Sequence, residues 1–323
     1  NLVDPVRIAA TGVALWQARI ARAEQLHAEE VKNFVTSVFR YADPFYGGSA
    51  STTTVDLLKQ AATRIDSIAT TQPRTRVEIL ALLGQNLVVL GEAGAAFAPI
   101  DRAVEEARRH LAADDPVAIK ARLARLQALR FRGQADQMRR EADELVPLLR
   151  RSGDSRGLVM ALKNRAHAAI DQGQYGVAEA DSGEGLALAR VAYGPEDPIT
   201  LQLSILHALT FQFGEPRPAQ ALSAAEDAMQ LALKVFAPDA AHSEVIDTRH
   251  LLGRALTGAG QFRRGVEELE RAAADAERID GAQHHRLAFV RNNLAIAQRR
   301  AGLLAPALAN ADAAVAIATQ HFK

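Results

Sequence analysis

The sequence contains no cysteine in its 323 residues, which excludes a disulfide framework, a cysteine-ligated zinc site and a cysteine nucleophile. Aromatic residues make up only 5% of the chain, and Trp16 is the single tryptophan. Lysine plus arginine and aspartate plus glutamate both number 38, so a nucleic-acid binder that acts through a basic field is not expected. The zero net charge and 48% hydrophobic content also argue against disorder.

Long apolar runs are missing as well. The apolar stretch over residues 6–16 includes Arg7, and it is shorter than the roughly 20 residues that a membrane-spanning helix needs. It also lacks the cationic start and the cleavage site of a complete signal peptide. It is compatible with the trimmed end of a membrane helix and equally with an amphipathic helix that Asp4 and Pro5 open. Because the chain begins at Asn1, we expect a fragment or a processed product.

A repeat of about 42 residues is the main signal in the sequence. Glycine allows the positive φ that a helix C-terminus often needs, and small residues follow each recurring glycine at helical spacing, as Ala96 and Ala103 do. This pattern is typical of stacked helix–turn–helix hairpins. We therefore predict an all-α fold, a right-handed superhelix of about six hairpins plus an N-terminal pair of helices. The recurring glycines are Gly91, Gly133, Gly173, Gly214, Gly260 and Gly302.

Helix-capping residues indicate where the repeats begin. Asp115-Pro116 and Asp197-Pro198 each match an N-cap followed by the first helical residue, and Asp154 or Ser155 is the candidate cap of the third pair. Thr53 and Asp56 form a capping box ahead of a helix predicted over 54–71, which Pro73 ends. We predict that residues 1–73, with a first helix over 18–41, cap the array. The predicted repeats span approximately 74–114, 115–153, 154–196, 197–240, 241–283 and 284–323.

The fifth repeat carries the clearest pattern, with Leu252-Gly253, Leu256, Gly260, Phe262, Leu269 and Ala272. These features resemble tetratricopeptide repeats. The long period and the string Arg291-Asn292-Asn293-Leu294-Ala295 resemble the longer repeats of kinesin light chains. The second and fourth repeats are degenerate, because Met138 takes a small-residue position and Pro216 and Pro218 crowd the fourth turn. The resemblance covers roughly residues 75–323 and implies a fold, not a function.

A second resemblance lies in front of the repeats. It rests on Leu15-Trp16-Gln17-Ala18-Arg19, on residues 29–35, 38–39 and 42–44, on Thr54-Val55-Asp56-Leu57-Leu58, and on Gln72-Pro73. These strings resemble the segment between membrane helix and repeats in bacterial serine/threonine kinases with C-terminal tetratricopeptide repeats. The resemblance implies the sensor or docking region of such a receptor, on the periplasmic side of the inner membrane. Without it, a cytoplasmic location is expected.

Catalytic motifs are absent from the sequence. It contains neither the catalytic-loop motifs of a kinase nor a glycine-rich loop preceded by a strand, and no nucleophile elbow. His242 and His250 are eight residues apart, which is about 12 Å along a helix and too far for one ion. We therefore expect no enzyme activity in this chain, no cofactor and no metal site.

Polar residues recur on the predicted first helix of most repeats. Carried over from tetratricopeptide arrays, the inward-facing positions of these helices form a groove that tilts to positive charge. Such a groove favours a protein or peptide partner with acidic side chains or a free C-terminal carboxylate. Ordinary solvated residues, a stand-alone regulator that responds to a small molecule or signal peptide, and a homo-oligomer through exposed terminal helices remain alternatives. The groove residues are Gln85, Lys120, Gln127, Arg130, Lys163, Asn164, His167, His250, Arg254, Asn292, Asn293 and Arg299.

Overall fold

The computed structural model describes residues 53–65, 72–213, 217–236 and 242–321, with seven further positions between residues 22 and 36. All regular structure in these ranges is α-helical, as predicted. The helix predicted over 18–41 lies almost wholly outside the described residues. The helices are α1 Thr54–Arg64, α2 Pro73–Val89, α3 Ala93–His110, α4 Pro116–Phe131, α5 Ala135–Ser152, α6 Ser155–Asp171, α7 Tyr175–Ala192, α8 Pro198–Thr210, α9 Pro218–Val235, α10 Ser243–Gly258, α11 Phe262–Asp280, α12 His285–Arg300 and α13 Leu304–His321.

Glycines in the left-handed region separate the first helix of a hairpin from the second. Each of them follows the C-terminal residues of a first helix, where an L side chain would be strained. This confirms the predicted role of the recurring glycines in five of the six turns, and Gly214 lies outside the described residues. The five φ values fall between 65° and 82°, at Gly91, Gly133, Gly173, Gly260 and Gly302.

Side-chain caps start five of the six first helices, and α2, whose N-cap is Gln72, has none. The carboxylates of Asp115, Asp154 and Asp197 accept hydrogen bonds from backbone N–H groups at the starts of α4, α6 and α8. His242 and His284 do the same for α10 and α12 through a ring nitrogen. The sequence patterns predicted the aspartate caps but not the histidine caps, because imidazole is not among the preferred N-cap groups.

The N-terminal cap differs in detail from the prediction. The capping box of Thr53 is present, but α1 ends at Arg64, with Ile65 as its C-cap, rather than at residue 71. Its most buried residues are Leu57, Ala61 and Ile65. The sequence pattern predicts an inward face of Val55, Leu58, Ala62 and Ile65, continued by Ile68 or Ala69. Ile65 is buried as predicted, Val55, Leu58 and Ala62 are half-buried, and Ile68 and Ala69 lie outside the described residues. Pro73 is the first residue of α2, where its missing N–H costs nothing.

The chain forms two compact units, residues 1–134 and 135–323. In the first unit, α1 to α4 pack around a core that includes Leu80, Val104 and Val117. In the second unit, α5 to α13 pack successively, and the core is a series of small clusters such as the one around Leu201 and Leu256. Within each unit, helices contact mainly their chain neighbours and the first helices of the adjacent hairpins.

Close approach between the two helices of a hairpin depends on missing side chains. In the fifth hairpin, a Cβ added to Gly253 of α10 would lie 2.5 Å from Leu269 Cγ of α11. The opposite is true of Gly258 in the same helix, where an added Cβ would meet no atom within 4 Å. The two glycines are therefore a matched pair for testing the contact.

We expect Gly253→Ala to lower the free energy of unfolding by about 1–3 kcal/mol, because the new methyl group overpacks the α10–α11 contact. Gly258→Ala should leave it unchanged or raise it by up to about 1 kcal/mol, because alanine favours helix. Urea unfolding followed by circular dichroism measures both. Equal effects of the two substitutions would contradict the role assigned to Gly253.

Candidate binding pocket of the second unit

The predicted groove residues of the first unit lie on α2 and α4. Gln85, Lys120 and Arg130 are exposed, and Gln127 is half-buried. The ammonium of Lys120 lies 3.9 Å from the Glu78 carboxylate on α2. This part of the predicted groove is therefore a polar surface, across which a charged pair connects the successive first helices α2 and α4.

On α6, the predicted groove residues already have partners inside the protein. Lys163 and Asn164 are buried, and His167 is half-buried. Lys163 Nζ donates to Gln202 Oε1 on α8 at 2.9 Å. Asn164 Nδ2 donates to the backbone oxygen of Met160 at 2.8 Å. A ligand on α6 would have to replace these hydrogen bonds.

The structure brings Arg254 and Asn293 together in an open pocket of about 250 Å³. The pocket lies between the end of α8, the start of α9, and the first helices α10 and α12. Its lining combines three guanidinium groups with apolar surface, which suits a ligand that is part anion and part hydrocarbon. The lining residues are Phe211, Gln212, Arg217, Pro218, Ala221, Arg254, Ala255, Thr257, Gly258, Asn293, Ile296 and Arg300.

Arg254 is the distinctive charge of this pocket. Its side chain is partly buried, its guanidinium carbon lies 5.4 Å from the centroid of the Phe213 ring, and it pairs with no carboxylate among the described residues. Burial lowers its pKa, which shows that the cation is poorly solvated there. Arg217, in contrast, binds both carboxylate oxygens of Glu179 at 3.0 and 2.5 Å. An anionic ligand would supply the charge that Arg254 lacks.

His250 contacts Asn293, a residue of the pocket lining. Asn293 Nδ2 lies 2.9 Å from His250 Nε2, and it also donates to the backbone oxygen of Phe289 at 3.0 Å. Burial lowers the pKa of His250 to about 4, and the positive charge of Arg254 adds to the effect. The imidazole is therefore neutral at pH 7, and its nitrogen fixes the orientation of the Asn293 amide.

Of the twelve lining residues, only Arg254 and Asn293 were among the predicted groove residues. Phe211 and Arg217 belong to the fourth repeat, which the sequence pattern treated as degenerate and from which it selected nothing. Arg300 lines the pocket, whereas the predicted Arg299 is exposed one position away and does not. Asn292 is also exposed and outside the pocket. The aromatic residues beside Pro216 and Pro218 were the signal that could have marked this turn.

The described residues hold no group of three or more histidine, aspartate or glutamate side chains placed to bind a metal ion. In the same part of the chain, no helix combines the length and the apolar character needed to cross a membrane. The pocket lining offers positive charge and hydrogen-bonding groups beside apolar surface.

No protein-family model matches the sequence, and no curated protein matches it. Among solved structures, BtubC (BKLC) from P. vanneervenii has 21% identity and a TM-score of 0.54, over 69% of this chain and 90% of that chain. A Podosopora anserina putative kinesin light chain with nearly identical TPR-like repeats has 17% identity and a TM-score of 0.54, over 66% and 99%.

A signal transduction ATPase with numerous domains and a tetratricopeptide repeat sensor, from Pyrococcus horikoshii, has 13% identity and a TM-score of 0.60. That comparison covers 96% of this chain and 44% of the other chain. At these identities the similarities show the fold alone. The chain has the tetratricopeptide-repeat fold, as its sequence pattern predicted.

The depressed pKa of His250 makes stability depend on pH. The folded state keeps the ring neutral down to about pH 4, while the unfolded chain protonates near the ordinary value of 6.5. Between these values the unfolded state binds more protons, so stability is lost as the pH falls. We expect His250→Gln to remove roughly 1–3 kcal/mol of this loss. Urea unfolding at pH 7 and pH 4.5 tests this, and parallel pH profiles of wild type and variant would contradict it.

Proposed function

We propose that this chain is a protein–protein interaction module that binds an acidic segment of a partner, with a carboxylate held in the pocket of the second unit. The observation that carries the proposal is Arg254, a partly buried guanidinium with no carboxylate partner among the described residues. A side-chain or C-terminal carboxylate would form a charge-assisted hydrogen bond with it. The amide of Asn293, held by His250, is placed to bind the same peptide.

Apolar surface beside the pocket supports a peptide rather than a bare anion. Phe289, Asn293, Ile296 and Arg300 follow one face of α12 at helical spacing. The side chains of Phe289 and Ile296 are 55% and 37% exposed, although both are large and hydrophobic. A peptide that places its carboxylate at Arg254 would have apolar surface available for a neighbouring side chain.

A finer proposal concerns the protein to which this module belongs. The resemblance of the strings between residues 15 and 73 supports the sensor or docking region of a bacterial receptor-type serine/threonine kinase. Most of these strings lie outside the described residues, and Thr54–Leu58 form the start of α1. The test is the reading frame upstream of Asn1 together with the mass of the native product. A kinase domain and membrane helix there would support the proposal, and a start codon directly before Asn1 would contradict it.

We expect peptide binding to require both a carboxylate on the peptide and the guanidinium of Arg254. The probes are fluorescein-labelled ten-residue peptides that carry either glutamate and leucine or lysine and leucine, each with a free or an amidated C-terminus. Fluorescence anisotropy should show binding of the acidic probes only, and the free-to-amidated ratio identifies the carboxylate that is used. Arg254→Gln should weaken binding at least tenfold, because the guanidinium loses its anion.

Arg299→Gln is the matched control, since Arg299 is an exposed arginine of α12 outside the pocket. It should change the dissociation constant less than twofold. Equal losses from the two substitutions would indicate nonspecific charge attraction, and unchanged binding by Arg254→Gln would refute the assignment of the pocket.

A further inference from the structure

A second cavity of the same unit lies between α7, α8 and α9, and its volume is about 440 Å³. Gly183 and Arg190 of α7, Ser204 and His207 of α8, and Asp227 of α9 are among its lining residues. Arg190 and Asp227 are the charged side chains in this lining, and they carry opposite signs. The volume is within the usual range of small-molecule sites, ~300–1,000 Å³.

In the preceding repeat, the residues equivalent to Arg190 and Asp227 form an ion pair. Arg150 of α5 binds both carboxylate oxygens of Glu184 on α7, at 2.9 and 2.7 Å. Arg190 occupies the same position in α7 as Arg150 in α5, fifteen residues after the start of the helix. Asp227 likewise matches Glu184, nine residues after the start of its helix. Yet Arg190 and Asp227 form no ion pair with any described residue, and the cavity opens beside them.

Gly183 keeps this cavity open. An added Cβ would meet only the ring of His207, with 3.2 Å to its Cε1 atom. The equivalent residues of α5 and α9 are Asp143 and Glu226, so the fold accepts long side chains here. A glycine inside a helix weakens it. The three atoms nearest an added Cβ all belong to the His207 ring of α8, which would have to shift by a few tenths of an ångström. A side chain at position 183 would occupy part of the cavity.

The remaining polar groups of the cavity are neutral. Ser204 is buried, and its hydroxyl has no hydrogen-bond partner in the described parts of the chain. Burial lowers the pKa of His207, so its ring is uncharged at pH 7, and its Nδ1 lies 3.0 Å from Ser182 Oγ. The cavity therefore presents one cation, one anion and neutral hydrogen-bonding groups, over an apolar wall that includes Leu186.

We propose that this cavity binds a small zwitterion of the free α-amino acid class. Its carboxylate binds Arg190 and its ammonium group binds Asp227, so that the ligand completes the link that Arg150 and Glu184 make directly one repeat earlier. Its side chain packs on Leu186. This site shares Phe211 with the proposed peptide pocket, but its charged groups are different and the proposal does not depend on that pocket.

Isothermal titration calorimetry of the full chain tests the proposal. The probes are L-alanine, L-serine, L-leucine, L-glutamate and L-lysine, each also as its N-acetyl and its amide derivative. At least one free amino acid should bind, and both of its blocked forms should bind at least tenfold more weakly. A short peptide also carries one free ammonium and one free carboxylate group, and alanyl-alanine tests this alternative. It should bind more weakly than the amino acid with the highest affinity.

Variants connect the binding to the site. Arg190→Gln and Asp227→Asn should each weaken binding at least tenfold, and Gly183→Leu should abolish it by filling the cavity. Arg150→Gln, at the equivalent position one repeat earlier, should leave binding unchanged. Circular dichroism confirms that each variant is folded, which the exposure of Arg190 and Asp227 favours.

Several results would overturn the proposal. They are no binding of any free amino acid, equal binding of the blocked forms, tighter binding of the dipeptide, and an equal loss from Arg150→Gln. A urea-unfolding result in which Arg190→Gln and Arg150→Gln destabilise the protein equally would also overturn it. Such a result would mean that Arg190 and Asp227 form a direct ion pair.

Discussion

The close contact between the two helices of each hairpin is the constraint on which this structure depends. Alanine and glycine at the contact, such as Ala272 against the first helix and Gly253 against Leu269, let the backbones approach, and the turn glycine then reverses the chain. Each hairpin buries only one side of its helices in this way. The other apolar sides must be covered by the neighbouring hairpins, so stacking follows from the composition of a single repeat.

The absence of net charge conceals a strongly patterned electrostatic surface. Many charges of the second unit form local pairs, as Arg165 does with Asp181 at 2.6 Å and Arg249 with Glu268 at 3.1 Å. These pairs lie within hairpins or between successive ones. Against that background an uncompensated charge such as that of Arg254 stands out. Charge counts from a sequence therefore say little about the binding properties of a repeat protein, because recognition depends on which few charges lack partners.

Features set by local sequence could be predicted here. The turn glycines, the aspartate N-caps and the small residues of the second helices each depend on a few neighbouring residues, and periodicity aligned them. Two of the twelve pocket residues were on the predicted groove list, because Arg254 and Asn293 belong to regular repeats while Phe211 and Arg217 belong to the irregular fourth one. Residues 211 and 300 are far apart in the sequence, so no local sequence pattern predicts that they line the same pocket. Their meeting is a product of stacking.

The local character of the packing also bears on how such a protein can diverge. Within the second unit, a helix contacts its chain neighbours and the next first helix, so a change in one turn is felt over about one hairpin on either side. The fourth hairpin departs from the repeat pattern, and both cavities adjoin it. Phe211 borders the two of them. Modular packing thus lets one hairpin acquire new surfaces by mutation while its neighbours keep the regular repeat pattern that holds the array together.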